Sequence, residues 1–154
     1  MIQTSDSKGN LGFAPVTSLP HKAGNSEKAT FLKLTTESGK NVHMTSDHLL
    51  PNCGGKTVSA SELVIGDCLF VVDGDTMRKE TLVEISSATL FGVNTAITEA
   101  QFIVAAGIIA SPFSLNNDPG REKIGTVRDY LKSLRKSGKK LRGAKKVAML
   151  EFNM

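Results

Sequence analysis

A hydroxyl and an imidazole stand three residues apart in Thr45-Ser46-Asp47-His48, where the extended run from Phe31 to Thr45 gives way to the turn-forming stretch Pro51-Asn52-Cys53-Gly54-Gly55. Neutral imidazole takes or gives a proton near pH 7, and a strand end beside a loop can aim it at a reacting bond. The same Thr-x-x-His spacing also suits a capped turn carrying a solvated histidine. His43 is an odd number of residues from His48, which puts the two rings on opposite faces of an extended chain. No ligand spacing connects His21, His43, His48 and Cys53, so neither a metal nor a cofactor is expected. The two cysteines, Cys53 and Cys68, fit neither a metal knuckle nor a disulfide-dense scaffold. Cys68, inside the apolar run Gly66 to Val72, is expected to be buried and inert, and Cys53, in its Gly-rich turn, exposed; a bridge between them stays open.

The elements that would position these residues are short strands. At 154 residues and 40% hydrophobic content the chain suits one domain plus an appendage, and with 5% aromatics and no Trp the core falls to Val, Ile, Leu and Ala. No apolar run approaches the ~18 residues of a membrane span. Met1 to Asp6 has neither a basic flank nor an apolar stretch of signal-peptide type. The net charge of +4 hides two unlike parts: residues 1–120 hold eight Lys/Arg against twelve Asp/Glu, and residues 121–154 hold eleven against three. The break falls at Asn116-Asn117-Asp118-Pro119-Gly120, whose residues form turns.

Residues 1–10, polar and rich in Gly and Ser, are expected to be disordered. Leu11 to Leu19 alternates weakly and contains Pro15, which restricts it to an edge or bulged strand. Phe31–Thr36 and Asn41–Thr45 flank Glu37-Ser38-Gly39-Lys40 as a hairpin. Thr57 to Leu63 suits one helical turn or a bent strand. Turns at Gly66-Asp67 and Asp73-Gly74-Asp75 bound the strand Cys68–Val72, and Thr81–Ser86 is the next. Phe91–Thr98 continues the pattern, and Phe102–Ile109, which does not alternate, reads as one strand buried on both faces. Six or seven short strands with no helical period before residue 118 make an all-β domain. Beyond Asp118, taken as N-cap, Ile124, Val127, Leu131 and Leu134 recur at helical spacing beneath a basic face, which predicts a basic amphipathic helix ending near Gly138. Such a helix packs its apolar stripe on the domain or lies on an anionic membrane.

The ordered set of these pieces resembles a known family. Phe31 to Leu50 with its Thr-x-x-His-Leu is followed by Ala60-Ser61-Glu62-Leu63-Val64-Ile65-Gly66-Asp67 and Val71. Then come Gly92-Val93-Asn94-Thr95-Ala96-Ile97-Thr98 and Phe102 to Ser111. This is similar to the Hint domain of the C-terminal half of hedgehog and related hog proteins, the fold shared with inteins. The resemblance implies a pseudo-twofold, compact all-β Hint-type fold lacking its first strands. The implied division is a disordered 1–10, a partial Hint domain over 11–115 and a basic tail over 116–154. It also implies self-processing: a cysteine at the domain's first position attacks the preceding carbonyl, turning amide into thioester, and a second nucleophile, a sterol hydroxyl or water, releases the upstream segment. By resemblance His48 protonates the amide nitrogen, Thr45 orients or polarises that peptide, and His21 is the base for the incoming hydroxyl. The partner so implied is a covalently linked upstream polypeptide, with a sterol as acceptor and membrane contact through residues 121–146; nucleic acid is not favoured. Neither Cys53 nor Cys68 stands at a domain start, and Pro112 follows Ala110-Ser111 where hedgehog proteins carry cysteine. The reaction is therefore expected only of an intact, longer protein, in the secretory pathway or outside the cell if an upstream segment carries a signal peptide. The competing reading is a non-catalytic β domain whose basic tail binds a membrane or a partner.

Overall fold

Side-chain alternation sets the hairpin at the centre of the chain: Leu34 lies across from Val42 and Leu32 across from Met44, so their apolar side chains share one face. A computed structural model describes residues 1–17, 28–92 and 96–114. Its strands are β1 (Ile2–Ser5), β2 (Leu11–Ala14), β3 (Lys28–Thr36), β4 (Asn41–Met44), β5 (Leu49–Pro51), β6 (Thr57–Ser59), β7 (Cys68–Asp73), β8 (Thr76–Phe91), β9 (Phe102–Ala105) and β10 (Ile108–Ala110). A single 3-10 turn, Ala60–Glu62, follows β6. Eight strands form one sheet in the order β2-β1-β9-β10-β7-β8-β3-β4, and β5 and β6 pair separately. All the described pairings are antiparallel.

One strand holds the large sheet together. The first part of β8, Thr76–Thr81, pairs with β7, and from Leu82 to Phe91 it pairs with β3. The register shifts at Thr35/Thr36, opposite the handover. A bulge there bends the sheet, which lets the two halves face a common interior. That interior is aliphatic, as the composition requires: Leu34, Val42, Met44, Leu50, Leu69, Val71, Leu82, Ile103 and Ile108 are all but inaccessible to solvent. A second, smaller cluster of Val72, Phe102 and Ile109 lies apart from it.

Several sequence expectations hold. The β3–β4 hairpin turns at Gly39, whose φ of +84° suits only glycine, and β2 sits at the sheet edge and stops before Pro15. The Ser-Ala-Ser-Glu stretch makes one helical turn because the Glu62 carboxylate accepts the Ser59 N–H and the Ser59 hydroxyl, both at 2.8 Å.

Others are corrected. Residues 1–10 are not disordered: β1 pairs with both β2 and β9, and the turn after it is tied by Asp6, whose Oδ1 accepts the amides of Lys8 and Asn10. Phe102–Ile109 is not one strand but two. Ala106 and Gly107 both have positive φ, +49° and +79°, and that pair closes a two-residue hairpin whose twist matches its strands. A sequence reading looks for Asn-Gly or Asp-Gly at such a turn, and the apolar Ala106 hides it. The strand predicted over Thr81–Ser86 extends from Thr76 to Phe91, and beyond it Ala96, Ile97 and Thr98 are buried without forming a named strand. Cys68 is no inert thiol, for it is joined to Cys53 in a disulfide. With a sequence separation of 15, loop closure in the unfolded chain accounts for about 3 kcal/mol of stabilisation on a chain-entropy argument. The basic helix expected after Asp118 lies outside the described residues.

Glu80 is a buried charge in this fold, 5% exposed. Burial pushes its carboxyl up, but hydrogen bonds from the Ser38 hydroxyl (2.6 Å), Thr36, the Arg78 guanidinium (2.8 Å) and the Ser38 amide outweigh that and hold it at about 2. The carboxylate thereby fixes the tip of the β3–β4 hairpin onto β8. Its contribution is whole above the ordinary value of 4.5 and is lost as pH falls through about 2. Glu80→Gln is expected to lower unfolding stability at pH 7 by roughly 2–3 kcal/mol and to flatten the acid limb between those two pH values, as followed by urea titration. At the β9–β10 turn a Cβ on Gly107 would meet Lys40 Cδ at 3.0 Å and the Val72 carbonyl at 3.3 Å, in a backbone conformation side chains avoid. Gly107→Ala is expected to cost about 1–2 kcal/mol in the same titration.

Candidate active site

The Thr-x-x-His stretch connects β4 to β5, and its backbone is fixed from three sides. The His48 amide donates to the Thr45 carbonyl at 3.0 Å, which closes a turn. The 3-10 turn then grips it, with the Ser61 amide on the Ser46 carbonyl and the Ala60 amide on the His48 carbonyl, each at 2.8 Å. Thr45 is left half-buried at the end of β4, and His48 goes inside, 4% exposed.

A second segment crosses the first. After β10 the chain runs antiparallel past His48, which bridges to Ser114. Leu49 is bonded to this segment twice: its carbonyl accepts the Ser111 amide at 2.9 Å and its own amide donates to the Phe113 carbonyl at 3.1 Å. Pro112, with no N–H to give, is skipped. The residue before a proline is held extended, and the Ser111 hydroxyl accepts the Phe113 amide at 3.2 Å.

These contacts place the Ser111 carbonyl 2.7 Å from His48 Nε2. A carbonyl oxygen can only accept, so Nε2 carries the proton and the lone pair of the neutral ring sits on Nδ1. Burial pulls the imidazole below its ordinary 6.5, while the bond to the Ser111 carbonyl and the Asp47 charge push back without cancelling it. The ring is thus a neutral base at pH 7 and, once protonated, a ready acid.

Of the residues singled out from sequence, the structure brings Thr45 and His48 together in one turn. His43 is half-exposed between buried Val42 and Met44 on β4, whereas His48 is buried beyond the turn that ends that strand. His21 lies outside the described residues; the segment leading to it is anchored where the Thr17 amide and hydroxyl both donate to the Ile97 carbonyl, at 2.7 and 3.0 Å. The role of Ser111 was not read from sequence. Its only local signal is the Ser-Pro pair closing an apolar run, which marks an extended turn but not a partner sixty-three residues away.

The fold is intein-like. A DnaB intein from Synechocystis superposes with a TM-score of 0.62 at 18% identity, covering 71% of this chain and 76% of that one. A transcription factor IIB mini-intein superposes with a TM-score of 0.60 at 15% identity, over 71% and 70%. At these identities the likeness concerns the fold. The family profile of the Hint module matches residues 1–120, and the chain belongs to that family. Warthog protein 1 of Caenorhabditis elegans is 32% identical over 108 residues, a match that takes in 67% of this chain and 22% of the relative's length. The family is thus that of the Hint module and the fold that of inteins, while the chain spans about a fifth of that relative's length.

Because folding keeps His48 neutral, the unfolded chain binds a proton below pH 6.5 that the folded chain refuses. Its stability is whole above 6.5 and falls as the pH drops below it, by at most about 1.4 kcal/mol per unit. His48→Gln is expected to remove that slope in denaturant titrations at stepped pH. An unchanged slope would mean that the ring is not held neutral.

Proposed function

We propose that this domain cleaves the peptide bond joining it to the polypeptide ahead of it, with His48 as the proton-transfer group and Thr45 as the residue that orients the bond. What carries this reading is the buried imidazole whose Nε2–H is held by the Ser111 carbonyl at 2.7 Å, so that the lone pair of the neutral ring is on Nδ1.

Amide nitrogen leaves badly unless it is protonated. A thiol at the junction attacks the preceding carbonyl, forming a C–S bond; the C–N bond breaks and the thiol's proton ends on the departing nitrogen. A buried imidazole of lowered basicity suits that transfer, because its cation is costly in the interior and passes the proton on. Cys53 and Cys68 are bonded to each other, so the thiol is neither of them. In a second step, His21 draws the proton from an acceptor hydroxyl, a sterol's or water's, as that oxygen takes the acyl group from sulfur. The basic stretch 121–146 fits contact with an anionic membrane that would hold such an acceptor.

The test is a fusion in which a reporter with a cysteine at the junction precedes residue 1. Cleavage that needs the junction cysteine and speeds up with added thiol is expected, slowed about 10²–10⁴-fold in His48→Ala. His21→Ala is expected to slow transfer to a hydroxyl acceptor while sparing release by added thiol. Equal cleavage rates for the parent and His48→Ala fusions, both shown folded, would remove the assignment and favour the binding-module reading.

A further inference from the structure

The strand that begins beside His48 belongs to a sheet of only two strands, β5 and β6, and each end of that hairpin is fastened differently. At the His48 end the fastening is the Leu49 bonds to Ser111 and Phe113. At the far end it is the contact with β7: the Asn52–Leu69 bridge, the Cys53 amide on the Cys68 carbonyl at 3.2 Å, and the Cys53–Cys68 disulfide, whose Cα atoms are 5.4 Å apart. Two noncovalent contacts of this kind, between half-exposed residues, are weak. The covalent one is what makes that end firm.

One half of the disulfide also borders a cavity. Cys53 lines a cavity of about 290 Å³ whose floor includes Phe70, Phe102 and Ile109 and whose rim carries exposed Ser7 and Lys8. The rim carries both signs, the Lys8 cation and the Asp6 carboxylate, the latter bonded to the amides of Lys8 and Asn10 and to the Asn10 side chain at 2.7 Å. A small thiol or thiolate that enters this opening comes beside Cys53.

We propose that Cys53–Cys68 is an exchangeable disulfide that a small thiol reduces through this cavity in the folded protein, and that it clamps the β5–β6 hairpin to β7. The external thiolate attacks Cys53 Sγ; the new S–S bond forms, the Cys53–Cys68 bond breaks, and Cys68 leaves as thiolate. A second external thiol attacks the mixed disulfide and departs as the oxidised dimer. Two external thiols are oxidised, one protein disulfide is reduced, and their two protons end on Cys53 and Cys68. Formation of the bond requires an oxidising environment, so the clamp is closed there and opens where thiols accumulate. Opening frees the far end of the hairpin while the Leu49 end stays tied, so the loosening is local.

The experiment treats the full chain with dithiothreitol under native conditions, traps thiols with iodoacetamide for mass analysis, and follows amide hydrogen exchange. Both cysteines are expected to become alkylated faster than the chain unfolds globally. The amides of Asn52, Cys53 and β5–β6 are expected to speed up at least about tenfold more than those of β3 and β8, whose rates rise only through the loss of loop-closure stabilisation. Cys53→Ala with Cys68→Ala is expected to give the same pattern without reductant; should that variant not fold, the wild-type reduction arm decides. Alkylation only at the rate of global unfolding overturns the proposal, as do free thiols in protein purified from an oxidising medium, unchanged exchange in β5–β6 after reduction, or the same acceleration in both sheets. The exchange pattern does not depend on whether the domain cleaves a peptide bond.

Discussion

A buried imidazole held by one carbonyl oxygen is the constraint on which the rest of this structure depends. A neutral histidine ring offers one donor and one acceptor, and putting it inside the protein without partners would cost a few kcal/mol. The Ser111 carbonyl satisfies the donor at 2.7 Å and in doing so fixes the tautomer. For that oxygen to be there, the segment after β10 must cross the start of β5, and it does so through the two bonds at Leu49. For the ring to be there, the Thr45–His48 turn must be pinned, and the 3-10 turn after β6 pins it. The position of one side chain thus sets the crossing of two distant segments and the placement of a hairpin between them.

The remainder of the fold serves as a frame for that crossing. β8 carries the pairing from β7 to β3, so the hairpin that ends at the Thr-x-x-His turn and the β9–β10 hairpin that ends at Ser111 are parts of one sheet. The interior between them is closely packed aliphatic side chains with little freedom to shift. Glu80 locks the outer hairpin tip onto β8, and the disulfide locks the inner hairpin onto β7. Both fastenings are remote from the imidazole, yet each fixes an element whose other end determines where a site residue sits.

Membership of the Hint family and likeness to inteins agree with this arrangement at different levels. The superpositions concern backbone alone, at 15–18% identity, and so speak to the frame. The family match extends from residue 1 to 120 and takes in the β1–β2 hairpin, whose first strand falls in the stretch 1–10 that composition alone suggested was disordered. That hairpin is ordered by partners: β1 lies between β2 and β9, and a polar segment with few apolar side chains is stable when its backbone groups are paired on both sides.

Local signals were enough to read much of this. The alternation through Phe31 to Thr45, the glycine at position 39 and the all-β class follow from chemistry acting over a few residues, and the Thr-x-x-His stretch marks itself by residue type. Tertiary structure decided the rest. That Phe102–Ile109 folds back on itself follows from a turn at Ala106-Gly107 whose closing strands pair with β1 and β7, contacts far away in sequence. That Cys68 is bonded and not inert depends on β7 passing beside the end of β5. And whether the imidazole of residue 48 is solvated or buried turns on a carbonyl sixty-three residues later, because burial and tautomer belong to the space around a side chain and that space is assembled by the whole fold.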